Sequence, residues 1–452
     1  MSSKSRRMFV ASLALLGCQP VVAAMTAFIN VNVLPMSSET VVPGQTVLVE
    51  DGIITTVGDV DAVRIPEDAR AVDGTDRYLM PGLAEMHAHV PAADSPELDR
   101  YFTLFVANGI TTIRGMLGNR SHLGLRGKLE SGDAFGPRLI TSGPSLNGRS
   151  VSGAADARRQ VREQADAGYD FIKVHPGLSR EEFTALAETA NDVGIPYAGH
   201  VPVGAGLDTA LRLGMATIDH LDGYFVALLP ADSDSSGGYG GFFDVMLAAD
   251  LKATGIDDIA ATTATAGTWN VPTQTLIEQL VSATPVAELR NRPEMEFMPS
   301  ATVARWVAAK QAQLAERGFD ARVAARAIRI RRTLILALHQ AGAGLLLGSD
   351  APQVFNVPGF SAHRELELLV ASGLTPFEAL QTGTTAVAEF LGNNTGLVAP
   401  GKDADLLLLD ANPLEDIRNT QRIHGVMLRG RWLSARSLQE RLALYRNAAP
   451  NP

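Results

Sequence analysis

Between residues 78 and 394, short apolar runs alternate with helical patterns, and this alternation restricts the fold more than any other feature of the chain. Eight runs read as strands: 79–87, Thr111–Met116, Arg138–Ser142, Phe171–His175, Tyr197–His200, Thr217–His220, Trp269–Thr275 and Leu345–Asp350. Between them, helical periodicity predicts helices over Glu97–Ala107, Ala154–Ala167, Arg180–Val193, Gly206–Leu213 and Ala321–Ala341. Strands that alternate with helices pair in parallel, because a parallel neighbour needs a long crossover and a helix supplies it. Eight such units over roughly 300 residues predict an α/β fold, a closed (β/α)8 TIM-type barrel. The competitor is an open doubly wound sheet. It is disfavoured because no glycine-rich phosphate fingerprint follows an early strand.

Both ends of the chain carry a different pattern. Thr26–Val33 alternates, Gln45–Glu50 continues it, and Asp51-Gly52 is a hairpin signal before Ile53–Val57. After residue 394, Gly396–Asp410 and Ile423–Leu433 return to short strands, with turns at Gly401-Lys402 and Arg429-Gly430-Arg431. We therefore expect residues 25–78 and 395–452 to pair into one small β-sandwich domain flanking a barrel of residues 79–394. The segments from His220 to Trp269 and from Ile277 to Asp320 are longer than a barrel needs. Ala301–Arg317 reads as a further helix, and the Ser/Gly-rich Ser235–Gly241 as a mobile loop. Long inserts at the C-terminal face of a barrel usually form lids or pocket walls.

The first 24 residues read as an export signal: a basic Lys4-Ser5-Arg6-Arg7, then an apolar Met8–Gly17 too short to span a bilayer. Val22-Ala23-Ala24 offers an ordinary cleavage site, the preferred reading. Leu15-Leu16-Gly17-Cys18 resembles a lipobox, which would leave Cys18 acylated and the protein lipid-anchored. Either way the chain is expected to be periplasmic or secreted, with no transmembrane segment once mature. Cys18 is the only cysteine, so an intramolecular disulfide and a cysteine zinc site are both excluded. The formal net charge of −10 argues against a nucleic-acid partner, which needs a basic face, and leaves a small-molecule substrate open. Homo-oligomerisation is also left open.

In a barrel, the C-terminal ends of the strands share one mouth. At those ends stand His87 and His89 on the first strand, Lys173 on the fourth, His200 on the fifth, His220 on the sixth and Asp350 on the eighth. Residues two apart on a strand point to the same face, so His87 and His89 would aim two imidazoles at one point, a natural metal grip. Taken alone, they could equally be two surface histidines in a loop. Lys173 could be an ordinary surface lysine, and Asp350 a helix cap before Pro352. His175 shares a strand face with Lys173; it either contacts substrate or the metal surroundings, or is a satisfied rim histidine. Arg114, ending the second strand, either pairs with a substrate carboxylate or sits in a structural ion pair. Tyr224 and His363 fall on the loops expected after the sixth and eighth strands and could line the pocket. His122, His339 and His424 read as structural or solvated.

Taken together, Pro81-Gly82-Leu83-Ala84-Glu85-Met86-His87-Ala88-His89, Ile172-Lys173-Val174, Gly199-His200, Ile218-Asp219-His220 and Gly348-Ser349-Asp350-Ala351 resemble the amidohydrolase superfamily of metal-dependent hydrolases. The stretches His363-Arg364-Glu365-Leu366, Gly373–Leu380 and Val398–Leu406 resemble its imidazolonepropionase-like branch, which includes Xaa-Pro and other dipeptidases. The resemblance implies two divalent metal ions, zinc being the expected identity. His87, His89 and Asp350 would hold the more buried ion, and His200 and His220 the second. Lys173 would bridge both as a carbamate, since an ammonium has no lone pair to donate, whereas a carbamate offers two anionic oxygens to ions about 3.5–4 Å apart. A metal-activated hydroxide would then attack a carbonyl, with Asp350 as general base and then general acid. The activity this implies is cleavage of a C–N amide bond in a dipeptide or an N-acyl or N-aroyl amino acid. Lactone, carbamate or organophosphate hydrolysis could use the same binuclear site. A mononuclear imidazolonepropionase or deaminase-like enzyme, and a non-catalytic barrel, are further alternatives. A serine hydrolase is disfavoured because Gly-x-Ser-x-Gly does not occur.

Overall fold

The computed structural model describes residues 25–230, 232–233, 243–252 and 254–446. The export-signal stretch, Cys18 and Ser235–Gly241 therefore lie outside the described residues. No helix among the described residues is long and apolar enough to cross a membrane.

The chain begins with β1 (Thr26–Val33), β2 (Val42–Glu50) and β3 (Ile53–Asp59), an antiparallel meander. Asp51 and Gly52 join β2 to β3 with φ of 49° and 82°, the double positive φ that the tightest hairpin turns require. β4 (Arg70–Asp73) and β5 (Tyr78–Pro81) both pair in parallel with β1, β4 along its first half and β5 along its second. The switch of partner coincides with register irregularities in β1 between Phe28 and Val33. Bulges of this kind bend a strand and re-aim its pairing.

The run at 79–87 is not one strand. It breaks at Gly82, where a Cβ would lie 2.4 Å from the side chain of Thr111. Beyond the break β6 (Leu83–Ala88) is parallel to β7 (Ile110–Gly115), and β7 to β8 (Arg138–Thr141). A second parallel sheet holds β9 (Ile172–Val174), β10 (Tyr197–Gly199), β11 (Thr217–Asp219) and β12 (Trp269–Val271) in sequence order. β12 ends before the expected Thr275. Pro272 has no N–H to donate to a ladder, Thr273 turns to φ 46°, and a helix starts at Gln274.

The eighth run, Leu345–Asp350, is no regular strand but bonds to both neighbours. Leu346 donates to Asn270 O (2.9 Å), Met86 to Leu347 O (2.7 Å) and Asp350 to His87 O (2.9 Å). Single parallel bridges, Ser142 with Phe171, Asn270 with Leu345 and Ala88 with Ala351, join the sheet edges. Helices Leu98–Ala107, Ala154–Ala167, Arg180–Val193, Leu207–Arg212 and Ala321–Gln340 follow the periodicity to within a residue. Arg180–Val193 shows why its ends are legible: Ser179 and Glu182 form a capping box, and Gly194 closes the last turn at φ 74°.

The insert after β12 is helical, including Ser300–Ala315. It forms a satellite core in which Leu289, Met295 and Trp306 meet Tyr101, Phe355 and Val357. It thereby backs the loop that follows Asp350. The chain closes with β13 (Leu406–Leu409), β14 (Ile423–Leu428) and β15 (Arg431–Ser434). β13 pairs with β5, so both chain ends share one eight-stranded sheet. The small β domain expected from the two chain ends takes the form of one connected sheet. One branched sheet curls until Ile53 bridges Asp403, around a core that includes Phe28, Val47, Leu79, Leu406 and Trp432.

Candidate metal centre

The six strand-end residues singled out above converge. β6 is buried along its whole length and delivers His87; His89 follows it, part-exposed at the rim. Lys173, from the middle of the buried β9, places Nζ 3.5 Å from His87 Nε2. The His220 ring lies 4.6 Å from both the His87 and His200 rings. Asp350 Oδ1 stands 3.0 Å from His89 Nε2 and 3.6 Å from His87 Nε2, and its Oδ2 3.9 Å from His220 Nδ1. Apolar strand runs bring these polar tips together by keeping their own backbones in the interior.

Two of these residues sit in left-handed backbone, His220 at φ 63° and Asp350 at φ 62°, a strained state for a non-glycine residue. Buried networks hold them there. Arg331 donates to His220 O (2.7 Å), Pro272 O (2.8 Å) and Gln274 Oε1 (2.9 Å). Glu365 accepts from the N–H groups of Gln274 (2.8 Å) and Thr275 (2.6 Å), while Thr273 Oγ1 meets His220 Nδ1 at 2.8 Å. Glu85 ties the first and eighth runs together, accepting from His87 N (3.1 Å), Ser349 N (2.7 Å) and Ser349 Oγ (2.6 Å). Burial pushes the Glu85 carboxyl up to about 8 and that of Glu365 up to about 7. Asp222 Oδ2 lies 2.6 Å from His200 Nδ1, the carboxylate–histidine pairing that orients a metal-binding imidazole. Sequence reading assigned no role to Glu85, Asp222, Arg331 or Glu365. Glu85 and Asp222 each stand two residues from a strand-end histidine, the one signal that could have found them.

Protonation suits cation binding. Burial, then the charge on Lys173, holds the His87 imidazole well below its ordinary range; burial and neighbouring His200 do the same for His220. Burial also lowers Lys173, against the pull of Asp219 and Asp350. For Asp350, burial works upward, but His89 and His87 outweigh it and keep the carboxyl low. Neutral imidazoles and an ionised carboxylate are the forms a metal requires. The buried atoms His87 Nδ1, Asp219 Oδ2 and Asp350 Oδ1 have no hydrogen-bond partner. His87 Nδ1 lies 2.9 Å from Asp219 Oδ2 without hydrogen-bond alignment. Ligand atoms of His87, His220 and Asp350 all fall within 4.8 Å of one another. Crowded lone pairs without protons between them fit a divalent cation with nitrogen and oxygen ligands.

The four expected substrate contacts fare differently. His175 is at the mouth, stacked on His200 at 5.0 Å, and burial followed by the Lys173 charge pushes its imidazole down to about 2. Of the two readings for Arg114, the structure has the structural ion pair, with Asp219, and not a substrate contact. Arg114 is fully buried, and it donates to Met86 O (2.7 Å), Thr217 Oγ1 (3.2 Å) and Asp219 Oδ1 (3.3 Å), one layer below the mouth. Tyr224 is corrected: it is buried at the start of a short helix, and its hydroxyl is taken by Asn270 (2.8 Å) and Thr263 (3.1 Å). His363 lies within the helix Phe360–Ala371, not on a loop, with Nδ1 2.9 Å from Thr420 Oγ1. The site also gains an apolar cover that sequence reading missed. The Phe243 ring lies 5.4 Å from the His220 ring and 6.4 Å from the His200 ring.

His363 carries a prediction about acid stability. Burial pushes its imidazole down to about 4 in the folded chain, against about 6.5 when unfolded. Between those values the unfolded chain takes up a proton and the folded chain does not, so stability falls as pH falls through this window, by about 3 kcal/mol. Urea denaturation at pH 7 and pH 4.5 should show a smaller acid loss in His363→Gln than in the parent. Equal losses would discard the assignment.

Comparison with known proteins adds the following. Residues 78–433 match the family model described as the amidohydrolase family. An enamidase of Eubacterium barkeri is 22% identical over 374 residues, 82% of each chain. Among solved structures, the bottromycin amidohydrolase superposes with a TM-score of 0.73 at 24% identity, over 94% of this chain and 91% of that one. A Xaa-Pro dipeptidase with methionine bound in its active site gives 0.64 at 18% identity, over 91% and 100%. At such identities the structural likeness speaks for the fold.

Proposed function

This chain belongs to the amidohydrolase family, and from that premise we propose that it is a metal-dependent hydrolase that cleaves the C–N amide bond of a dipeptide or an N-acyl or N-aroyl amino acid. The observation that carries the reading is the meeting of His87, His89, Lys173, His200, His220 and Asp350 at one mouth, with buried polar atoms left unpartnered. We read the bridged sheets as a (β/α)8 barrel with its site at the C-terminal face. In this reading His87, His89 and Asp350 would hold one divalent ion and His200 and His220 a second. Lys173, once carbamylated, would offer two anionic oxygens to the same site, and zinc is the expected metal. Once bound, the ions would lower the pKa of a water from 15.7 to about 7 and polarise a carbonyl oxygen.

The remaining work falls to the chain's own groups. Asp350 takes the proton of the attacking water on a carboxylate oxygen and hands it to the leaving nitrogen, which departs only when protonated. Asp222 holds the His200 ring and Arg331 holds the His220 backbone, so the site is formed before substrate arrives. Phe243 flanks the His200 and His220 rings and gives that side of the site an apolar wall. Burial favours the neutral Lys173 amine, the form that adds carbon dioxide and releases a proton to become a carbamate. The sequence of residues 1–24 supports a periplasmic or secreted setting.

Metal analysis of the purified protein, followed by a screen of dipeptides and N-acyl amino acids, tests this. We expect two ions per chain, loss of amide hydrolysis on chelation and its return with added zinc. Full activity with one ion would replace the bridged site by a mononuclear one. No hydrolysis of any amide by the metal-loaded protein would end the hydrolase reading.

A further inference from the structure

We propose that a cavity beside the metal centre is the docking subsite for the α-carboxylate of the substrate, with Arg149 as its cation. The inference rests on the amide-hydrolase reading and assigns the place and the residue that would hold the free carboxylate on the amine side of the scissile bond. The cavity, about 570 Å³, is lined by Ser145, Asn147, Arg149, His175, Pro176 and Gly177. His175 lines it and stacks on His200 at 5.0 Å, so the cavity adjoins the candidate centre across that one ring.

The loop that carries Arg149 is fixed to the strand that carries Lys173. Leu146 donates to Lys173 O and His175 donates to Leu146 O, both at 2.9 Å. Gly148 and Gly177 pack backbone to backbone, so closely that a Cβ on Gly148 would lie 2.4 Å from Gly177 O. The Asn147 side chain accepts from the N–H groups of Arg149 (2.8 Å) and Ser150 (3.1 Å) and closes the turn. The base of the Arg149 side chain is therefore placed before a ligand arrives.

Charge accounting singles out Arg149. Arg114 and Arg331 are buried and bonded to the protein. Arg180 faces a neighbouring cavity and donates to Thr209 Oγ1 at 2.7 Å. Arg149 is exposed, and no described residue accepts from its guanidinium or pairs with it. A chain of net charge −10 repels a carboxylate at long range, so an anionic substrate needs a local cation at the mouth. A guanidinium meets a carboxylate through two parallel hydrogen bonds, which also sets the direction of the bound molecule.

The test compares an N-acetyl amino acid with its carboxamide, in the metal-loaded parent and in Arg149→Met and Arg149→Lys. The parent should prefer the free acid in kcat/KM. Arg149→Met should lower that preference about 10-fold to 100-fold, mainly through KM, as expected for loss of a charge-assisted pair. Arg149→Lys should restore part of it. An unchanged acid-to-carboxamide ratio in Arg149→Met, or a parent that prefers the carboxamide, overturns the proposal and leaves the hydrolase reading standing. If no amide is cleaved at all, the hydrolase reading fails on its own. Calorimetric binding of the same acid and carboxamide then decides the Arg149 assignment: a preference for the acid that Arg149→Met abolishes supports it, and equal binding overturns it.

Discussion

Asp350→Asn should lower kcat for the proposed amide hydrolysis by about 10³-fold, within the 10² to 10⁴ that a positioned acid–base group contributes. The substitution keeps the size and shape of the side chain, and so the strained turn at φ 62°. It removes the negative charge and the capacity to take a proton. An amide nitrogen leaves only after protonation, so the loss should be largest for amides and distinctly smaller for an activated ester of the same acyl group. That contrast separates a proton shuttle from a mere loss of metal, which would depress both substrates alike. Metal content measured on the same sample completes the comparison. If Asp350→Asn hydrolyses amide and ester with equal losses at full metal content, Asp350 is not the shuttle.

Lys173→Ala should abolish most activity and lower the metal content. Loss of a group that merely orients a metal ligand costs 10-fold to 100-fold, so loss of the bridging group itself should exceed about 100-fold. Lys173 is fully buried, with Nζ 3.5 Å from His87 Nε2 and 3.7 Å from Asp219 Oδ2. Alanine would leave a cavity where the proposed carbamate would stand. A short carboxylic acid such as acetate or propionate can enter it and present the same two oxygens, so added acid should restore part of the activity. Lys173→Arg, which keeps positive charge and cannot be carbamylated in this way, should not be rescued. Full activity of the alanine variant would remove Lys173 from the site.

Much of this architecture could be read from local patterns, and particular residues show where that stopped. Helices such as Ala154–Ala167 and Arg180–Val193 are encoded by their own periodicity and caps, which operate over a few residues. Most of the six candidate ligands were legible for the same reason: an apolar run buries itself and carries the polar residue near its end toward the mouth, although Lys173 stands in the middle of the buried β9. Arg114 could not be placed in this way. A strand-end arginine reads the same whether it reaches up to a substrate or across to Asp219, 105 positions away. His363 and Tyr224 failed likewise, since a helix in place of a loop turned one toward Thr420 and the other toward Asn270.

What the amino-acid sequence determined by itself is the order of strands and helices and the identity of the side chains standing at the strand ends, because both follow from alternation, capping and burial over short spans. Only the tertiary structure decided which of those side chains meet, that Glu85 clamps Ser349 across 264 positions and that Arg331 holds the carbonyl of His220 across 111. It also decided that the chain ends form one curled sheet. The reason is physical: a buried carboxylate, guanidinium or carbonyl must find a partner wherever the folded chain offers one, and no local pattern encodes which distant residue that will be.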